Sequence, residues 1–239
     1  RNLLCIYTRY VTLSYFIQPQ LDKANNSLIG YELLMKKHTT EGWRPPKHFS
    51  DIPAAVIADT LVKTTEKLSL KIGSVSVNLN RTQLMNPQIG DAIIKSQMQL
   101  RPLKLVVELT EEPGDEKWGT DQIIPKLQRF SERGMEISLD DVGTGENHLD
   151  HIKPLLAYAT EIKFALQNFK ISFQDPELQK KVTYWRDVAD RHNLRFILEG
   201  IEDEADDALV EKLGIDFCQG YYYGKPHLLK LASSDPDQA

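Results

Sequence analysis

The sequence contains only two cysteines, Cys5 and Cys218, among its 239 residues. This is too few for a disulfide framework and predicts a reducing, cytoplasmic setting. No apolar run approaches the roughly 20 residues that cross a bilayer, and the mean hydropathy is −0.39, so we expect no membrane contact. A signal peptide is not expected either, because Arg9 interrupts the apolar start and no small-residue cleavage site follows it.

Basic residues are not in excess, since 29 Lys and Arg stand against 34 Asp and Glu, for a net charge of −5. This balance argues against binding a long nucleic acid through a basic surface. If the ligand carries phosphate, something other than bulk charge must attract it, and a metal ion is the obvious candidate.

The chain has no Pro-, Gly- or Ser-rich linker and no low-complexity tract, which predicts one domain. We assign residues 13–230 to this domain, residues 1–12 to an N-terminal extension and residues 231–239 to a C-terminal tail. Because the first residue is Arg1 and not Met, we expect the sequence to be a piece of a longer protein. The sequence leaves the oligomeric state open, including a homodimer.

Short β-rich runs alternate with amphipathic helical runs along most of the chain, which is typical of βαβ units and a parallel sheet. Two extended runs near the start, 13–18 and 27–34, instead predict a hairpin around a turn at 23–26. About eight strands favour a (β/α)8 barrel with one irregular strand over an open Rossmann sheet. The other predicted strands are 74–78, 103–108, 135–140, 161–164, 195–199 and 215–218, and the predicted helices are 54–68, 85–98, 122–132, 177–192 and 205–213.

Polar residues that could perform chemistry stand at or near the ends of most predicted strands. The C-terminal strand ends of a β/α barrel meet at one mouth, so these groups should converge there. Several carboxylates at one mouth would repel each other unless cations neutralised them, and an all-oxygen set favours Mg²⁺ or Mn²⁺ over zinc. Taken singly, a polar residue at a strand end is most often a helix cap or a surface residue, but independent caps have no reason to recur at strand after strand. The set is Glu32, Asn78, Glu108, Asp140, Asp141, Lys163, Glu199 and Gln219.

Eight stretches in order resemble the EAL-domain cyclic di-GMP phosphodiesterases of bacteria, over residues 15–226. The resemblance implies a modified (β/α)8 TIM-like barrel of the α/β class, with one antiparallel strand near the N-terminus. It also implies hydrolysis of cyclic di-GMP to linear pGpG by a water activated by two Mg²⁺ or Mn²⁺ ions. The stretches are FIQPQ, GYELL, SVNLN, VELTE, DDVGTG, EIKF, LEGIE and CQGYYYGKP.

The same resemblance implies a role for each matching residue. Lys163 would contact the attacking water, and Glu111 would anchor the loop after Asp141. One metal would be held by Glu32, Asn78, Glu108 and Asp140, and the other by Asp140, Asp141 and Glu199. The catalytic set is Lys163, Glu199, Glu32 and Asp141, and the residues expected to contact substrate are Gln18, Lys36, Gln219 and Tyr221.

The sequence departs from the family pattern at several positions, none of which is an implied metal ligand. The family's Ala after the first Glu is Leu33, its following Arg is Lys36, and its Phe after the two aspartates is Val142. The Asp usually found two residues after the catalytic Lys is Ala165. Lysine keeps the charge of arginine but cannot form its bidentate hydrogen bonds to phosphate, so we expect these changes to affect ligand affinity most.

Two other functions remain open from the sequence. One is a module that binds cyclic di-GMP without turning it over, motivated by Lys36 and the altered loop. The other is a barrel enzyme in which a metal stabilises an enolate and Lys163 acts as the base. The DDVGTG and QGYYYGKP stretches argue against the second alternative.

Overall fold

The computed structural model describes residues 12–68, 72–145 and 147–238. The predicted extension lies outside this range except for residue 12, and Cys5 lies outside it as well. Within the described residues, ten strands form one mixed sheet. They are β1 (Leu13–Asp22), β2 (Ser27–Thr39), β3 (Gly42–Arg44), β4 (Ser74–Asn80), β5 (Lys104–Thr110), β6 (Glu136–Leu139), β7 (Glu161–Ala165), β8 (Arg195–Glu199), β9 (Phe217–Gln219) and β10 (His227–Leu228).

Helices connect most of the successive strands and pack on the outside of the sheet. Short 3-10 turns are formed by Phe49–Asp51, Asp115–Lys117 and Leu166–Asn168. The described residues include α1 (Ala54–Leu68), α2 (Arg81–Met85), α3 (Pro87–Leu100), α4 (Thr120–Glu132), α5 (Leu149–Leu156), α6 (Pro176–Arg191) and α7 (Glu204–Leu213). A helix with the length and apolarity needed to cross a bilayer is not found among them.

Eight strands close into a barrel in the order β1-β9-β8-β7-β6-β5-β4-β2, because β1 pairs with β2 as well as with β9. Every neighbouring pair is parallel except the two that involve β1, which runs antiparallel to both neighbours. The expected α/β fold, a modified (β/α)8 TIM-like barrel with one antiparallel strand near the N-terminus, is confirmed. Strands β3 and β10 extend β2 and β1 outside the closed ring.

The predicted hairpin is confirmed as β1 and β2, and both strands are longer than expected. Their register places Gln18 opposite Glu32. The turn is stabilised by Asp22, whose Oδ1 accepts from the N–H of Asn25 at 3.0 Å. Asn26 takes a left-handed φ of 48°, which asparagine tolerates better than most residues. The six strands predicted after the hairpin are also confirmed, with ends within two residues of their predicted positions, whereas β3 and β10 were not predicted.

The main apolar core lies between the outer face of the barrel and the helices. On β4, Val75 and Val77 belong to this core. The alternate residue Ser76 faces the barrel interior, where its Oγ accepts a hydrogen bond of 3.4 Å from Gln20 of β1. Since strand side chains alternate between the two faces, the same strands that build the core also bring polar groups to the barrel axis.

One helix prediction was wrong in detail, and one helix was not predicted. The predicted helix 85–98 begins only at Pro87, as α3, and a separate helix, α2, precedes it. Helix α3 begins there because Asn86 caps it by accepting from the N–H of Gln88, and because proline fits the first helical position. Helix α2 begins after Asn80 with a capping box formed with Gln83. Helix α5 was not predicted at all, because it has only eight residues and contains Pro154.

Candidate active site at the barrel mouth

Lys163 on β7 is the centre of a buried charged cluster. Its side chain is fully buried, and its Nζ lies 2.7 Å from Glu108 Oε2, 2.7 Å from Glu199 Oε1 and 3.1 Å from Glu32 Oε2. These carboxylates come from β5, β8 and β2, so the barrel brings together residues up to 167 positions apart in the chain. The predicted convergence of these four residues is confirmed.

Amide side chains orient Glu32 from two sides. Asn78 Nδ2 donates to Glu32 Oε1 at 2.8 Å, and Gln219 Nε2 donates to Glu32 Oε2 at 2.6 Å. Gln219 Nε2 also lies 3.1 Å from Gln18 Oε1, and Gln18 Nε2 donates to the carbonyl of Gly224 at 3.1 Å. All four polar residues therefore belong to one network that fixes the direction of the Glu32 carboxylate.

The pKa values of the cluster show an excess of buried negative charge. Burial, followed by repulsion from Glu32, raises the pKa of Glu108 to about 8. Burial also raises the pKa of Glu199 to about 7, against the attraction of Lys163. Burial alone would lower the pKa of Lys163, but its attraction to Glu108, Glu199 and Glu32 outweighs burial and raises it. One lysine therefore does not neutralise the mouth, and cations that bind there would displace protons.

Glu32 behaves differently from its neighbours. Burial opposes its ionisation, but the charge of Lys163 and the hydrogen bonds from Asn78 and Gln219 together lower its pKa. Glu32 is consequently the carboxylate of the cluster that is held in its ionised form.

Asp140, Asp141 and Glu199 form a second cluster, in which one oxygen from each carboxylate lies within 4.8 Å of the others. Burial, followed by the charge of Glu199, raises the pKa of Asp140 well above its ordinary value. This is the grouping expected for the second metal. The residues expected at the first metal also lie around this mouth. Two of them, Glu32 and Glu108, each form an ion pair with Lys163.

The loop after β6 is fixed by contacts with its own residues and with β7. Asn147 Nδ2 donates to the carbonyl of Asp140 at 2.8 Å, and Thr144 Oγ1 donates to the carbonyl of Asp141 at 2.7 Å. The N–H of Val142 donates to the carbonyl of Lys163 at 3.1 Å. Asp141 itself has a left-handed φ of 50°. The loop therefore presents both aspartates in a defined backbone conformation.

A cavity of about 470 Å³ lies beside the charged cluster, within the usual size range of small-ligand sites. Its lining includes Asn78, Lys36 and Tyr221, with apolar side chains making much of the remainder. Lys36 Nζ lies 4.2 Å from the ring centroid of Phe16, and Tyr221 is 56% exposed. The cavity thus places two of the residues expected to contact substrate next to Asn78, an expected metal ligand.

Glu111 lies at the edge of the same cavity and faces the loop after β6. Its Oε1 lies 3.4 Å from an Arg81 nitrogen, and a Cβ added at Gly145 would lie 3.8 Å from its Oε2. This position agrees with a role in supporting the loop, and that role stays a prediction.

The donors at the mouth fit hard divalent cations. They are carboxylate and amide oxygens from several strands, and the buried Oε1 of Gln219 has no hydrogen-bond partner within the described structure. An unpartnered acceptor beside excess carboxylates is an environment that a cation would stabilise. No His or Cys belongs to the group of residues found close enough to share a metal.

Sequence reasoning missed two residues of the site. Gln20 is buried and its Nε2 lies 3.4 Å from Glu108 Oε1. It is two residues after Gln18 on β1, so the period-two alternation of a strand could have identified it. Asn168 Nδ2 donates to Asp141 Oδ1 at 2.6 Å. It lies in a turn, where no periodic signal marks it.

Comparison with curated proteins finds relatives across most of the chain. The chain is 27% identical to the bifunctional diguanylate cyclase/cyclic di-GMP phosphodiesterase MucR of Pseudomonas aeruginosa, over 91% of this chain and 33% of that protein. It is 26% identical to the probable cyclic di-GMP phosphodiesterase PdeG of Escherichia coli, over 92% of this chain and 46% of that protein. The chain thus spans a third to a half of the length of these relatives.

Solved structures share the fold. The MucR phosphodiesterase in complex with c-di-GMP matches with a TM-score of 0.74 at 24% identity, covering 90% of this chain and 97% of that one. The EAL domain of FimX from Pseudomonas aeruginosa, bound to c-di-GMP, matches with a TM-score of 0.75 at 17% identity, covering 92% of each chain. The family profile of the EAL domain matches residues 10–226. The chain therefore belongs to the EAL domain family.

Proposed function

We propose that this barrel hydrolyses cyclic di-GMP to linear pGpG with the help of two Mg²⁺ or Mn²⁺ ions at its mouth. The observation that carries the proposal is the convergence of carboxylates on the fully buried Lys163, beside a cavity of about 470 Å³. Two relatives named as cyclic di-GMP phosphodiesterases and two structural neighbours that hold c-di-GMP support the same ligand. The two cysteines favour a cytoplasmic setting.

The metal assignment follows the two groupings of oxygen ligands. We assign the second ion to Asp140, Asp141 and Glu199, whose oxygens already lie close together. We assign the first to Glu32, Asn78, Glu108 and Asp140. Divalent cations bound there would supply Lewis acidity, which stabilises charge on a phosphate and lowers the pKa of water.

The side chains around these ions have separate tasks in the proposed reaction. The ammonium of Lys163 would favour the deprotonated form of an adjacent water and hold the carboxylates against their mutual repulsion. Gln219 and Asn78 would keep Glu32 ionised and correctly oriented, as their hydrogen bonds already do. Lys36 would attract a phosphate of the ligand, and Tyr221 would offer a flat surface to a guanine base.

The decisive experiment is nucleotide chromatography after incubation with cyclic di-GMP in Mn²⁺, in Ca²⁺ and in EDTA. We expect pGpG in Mn²⁺ alone. Ca²⁺ accepts oxygen ligands at about 2.3–2.6 Å against about 2.0–2.1 Å for Mg²⁺, in a looser geometry, so it should permit binding but position the reacting water poorly. Calorimetry in Ca²⁺ would detect that binding, and Ca²⁺ should inhibit the Mn²⁺ reaction competitively.

Two results would contradict this proposal in different ways. Equal hydrolysis in Ca²⁺ and Mn²⁺ would contradict the metal assignment. Binding of cyclic di-GMP without cleavage in any metal would favour a receptor, the alternative that Lys36 in place of the family's Arg and the altered loop after Asp141 keep open.

Glu111→Ala should lower turnover about tenfold and raise the Mn²⁺ concentration needed for half-maximal activity. The reason is its position, since it pairs with Arg81 and faces Gly145 in the loop that carries Asp141. A metal titration of activity measures both effects, with Glu132→Ala, at the exposed end of α4, as the control. Unchanged turnover and metal requirement would make Glu111 a surface carboxylate without influence on the loop.

A further inference from the structure

The turn after β7, Leu166–Asn168, lies between the two chain segments that carry the second carboxylate cluster. On one side, Asn168 Nδ2 donates to Asp141 Oδ1 at 2.6 Å. On the other side is Gly200, the residue that follows Glu199. It packs so closely that an added Cβ would collide with Gln167 Oε1 and lie 3.3 Å from Leu166 Cβ. The turn therefore contacts both chain segments that carry the Asp140–Asp141–Glu199 cluster, the loop after β6 and the end of β8.

This turn is itself well supported by the barrel. Leu166 is buried, and its carbonyl accepts from the N–H of Phe169 at 3.1 Å. The ring of Phe169 stacks on that of Phe164, with centroids 5.0 Å apart and an interplanar angle of 9°. Asn168 thus belongs to a turn whose neighbouring residues pack in the apolar core.

Asp141 is held by separate contacts to its backbone and to its carboxylate. Its φ of 50° lies in the left-handed region, which aspartate, like asparagine, adopts more readily than most residues other than glycine. Its N–H donates to Asp140 Oδ1 at 2.9 Å and its carbonyl accepts from Thr144, so its backbone is held within the loop. Its carboxylate, in contrast, is held from outside the loop, by Asn168 on the adjacent strand end.

We infer that Asn168 is a positioning residue that sets the direction of the Asp141 carboxylate in the second metal site. The inference rests on the proposed function. Ala165, two residues after Lys163 at the end of the same strand, has a side chain that offers no polar atom. Asn168 supplies a polar contact from the same strand end, three residues further along the chain.

The test is a calorimetric titration of the metal-free protein with Mn²⁺, comparing the wild type with Asn168→Ala. We expect one of the two Mn²⁺ ions, the one held at Asp141, to bind about 3- to 10-fold less tightly in the variant, and the other ion to be unaffected. A lost hydrogen bond to a charged group has an effect of this order when both partners are partly hydrated.

The chain offers a matched control in Asn25→Ala. Asn25 is also an exposed asparagine whose Nδ2 donates to an aspartate, Asp22 Oδ2 at 2.7 Å, but it lies in the β1–β2 turn. Asn25→Ala should leave both Mn²⁺ affinities unchanged. Circular dichroism and thermal melts of both variants would report whether the fold is retained.

The possible outcomes separate this inference from the proposed function. Equal Mn²⁺ affinities in Asn168→Ala and the wild type would overturn the inference, as would equal weakening of both ions. A wild type that binds two Mn²⁺ ions but leaves cyclic di-GMP intact would overturn the function, while the same titration would still decide the role of Asn168. A wild type that binds fewer than two ions would overturn both.

Discussion

Lys163→Met should abolish hydrolysis, by about 10³-fold or more, and should destabilise the metal-free barrel. Methionine fills a similar volume but leaves Glu32, Glu108 and Glu199 facing each other without a cation. Removing one partner from a buried ion pair costs about 3–5 kcal/mol. For a chain of this size that corresponds to a fall in melting temperature of roughly 6–20 °C in EDTA. The loss of activity follows because a positioned group that assists proton transfer contributes about 10²–10⁴-fold.

The loss of stability in Lys163→Met should grow as the pH rises. Glu108 and Glu199 already have pKa values of about 8 and 7, above the ordinary value of a glutamate. A carboxyl group whose pKa is higher in the folded state stabilises the fold at low pH and loses that contribution as the pH rises through its folded value. Removing the ammonium raises both values further, so the melting temperatures of variant and wild type should diverge between pH 5.5 and pH 8.5.

Thermal melts in EDTA and in Mn²⁺ measure these effects. Mn²⁺ should raise the melting temperature of Lys163→Met more than that of the wild type, because the metal replaces the missing cation. Lys180→Met is the matched control, since Lys180 makes an exposed ion pair with Glu177 at 2.8 Å. A Lys163→Met variant that melts like the wild type in EDTA would show that the carboxylates do not depend on this lysine.

Asp141→Asn should reduce turnover by about 10²-fold or more while the fold stays intact. Asparagine has the same shape as aspartate and is among the residues that tolerate the left-handed φ of 50° seen here. Its Oδ1 can still accept the hydrogen bond from Asn168, so the substitution removes the charge and little else. The affected property should be the second metal ion, whose ligands include this carboxylate.

Calorimetry with Mn²⁺ and turnover at saturating Mn²⁺ would measure both consequences. Asp141→Ala provides the contrast, because alanine removes the charge and also strains the backbone at this φ, so it alone should lower the melting temperature. Turnover of Asp141→Asn equal to that of the wild type would contradict the two-metal assignment.

The fold was predictable from the sequence because the barrel repeats one pattern. Runs such as Ser74–Asn80 combine β-branched residues with alternating polar positions, and the ends of the six strands predicted after the hairpin fall within two residues of their predicted positions. Helix boundaries were less accessible. The Asn86–Pro87 pair carries both a capping residue and a proline suited to a first helical turn, yet the apolar spacing around it predicted one unbroken helix.

The sequence predicted which residues lie at the candidate site, but it did not predict the contacts between them. The motifs identify Lys163 and Glu108 as candidates, but no pattern in a single sequence predicts that the Lys163 ammonium lies 2.7 Å from the Glu108 carboxylate. Such distances depend on closure of the barrel, which joins residues far apart in the chain. Asn168 was not predicted for the same reason. Its contact with Asp141 depends on how the loop after β6 packs against the turn, and the sequence does not show this packing.

The reversed direction of β1 changes which end of the barrel the chain enters. In a ring of eight parallel strands, the first strand would begin at the face opposite the mouth. Here Leu13 pairs with Lys37 and the carbonyl of Thr12 accepts from the N–H of His38, beyond the level of Glu32 on the mouth side. Any polypeptide joined ahead of Thr12 is therefore attached on the side of the barrel where Glu32 and Lys163 lie, a few residues along β1 from that cluster.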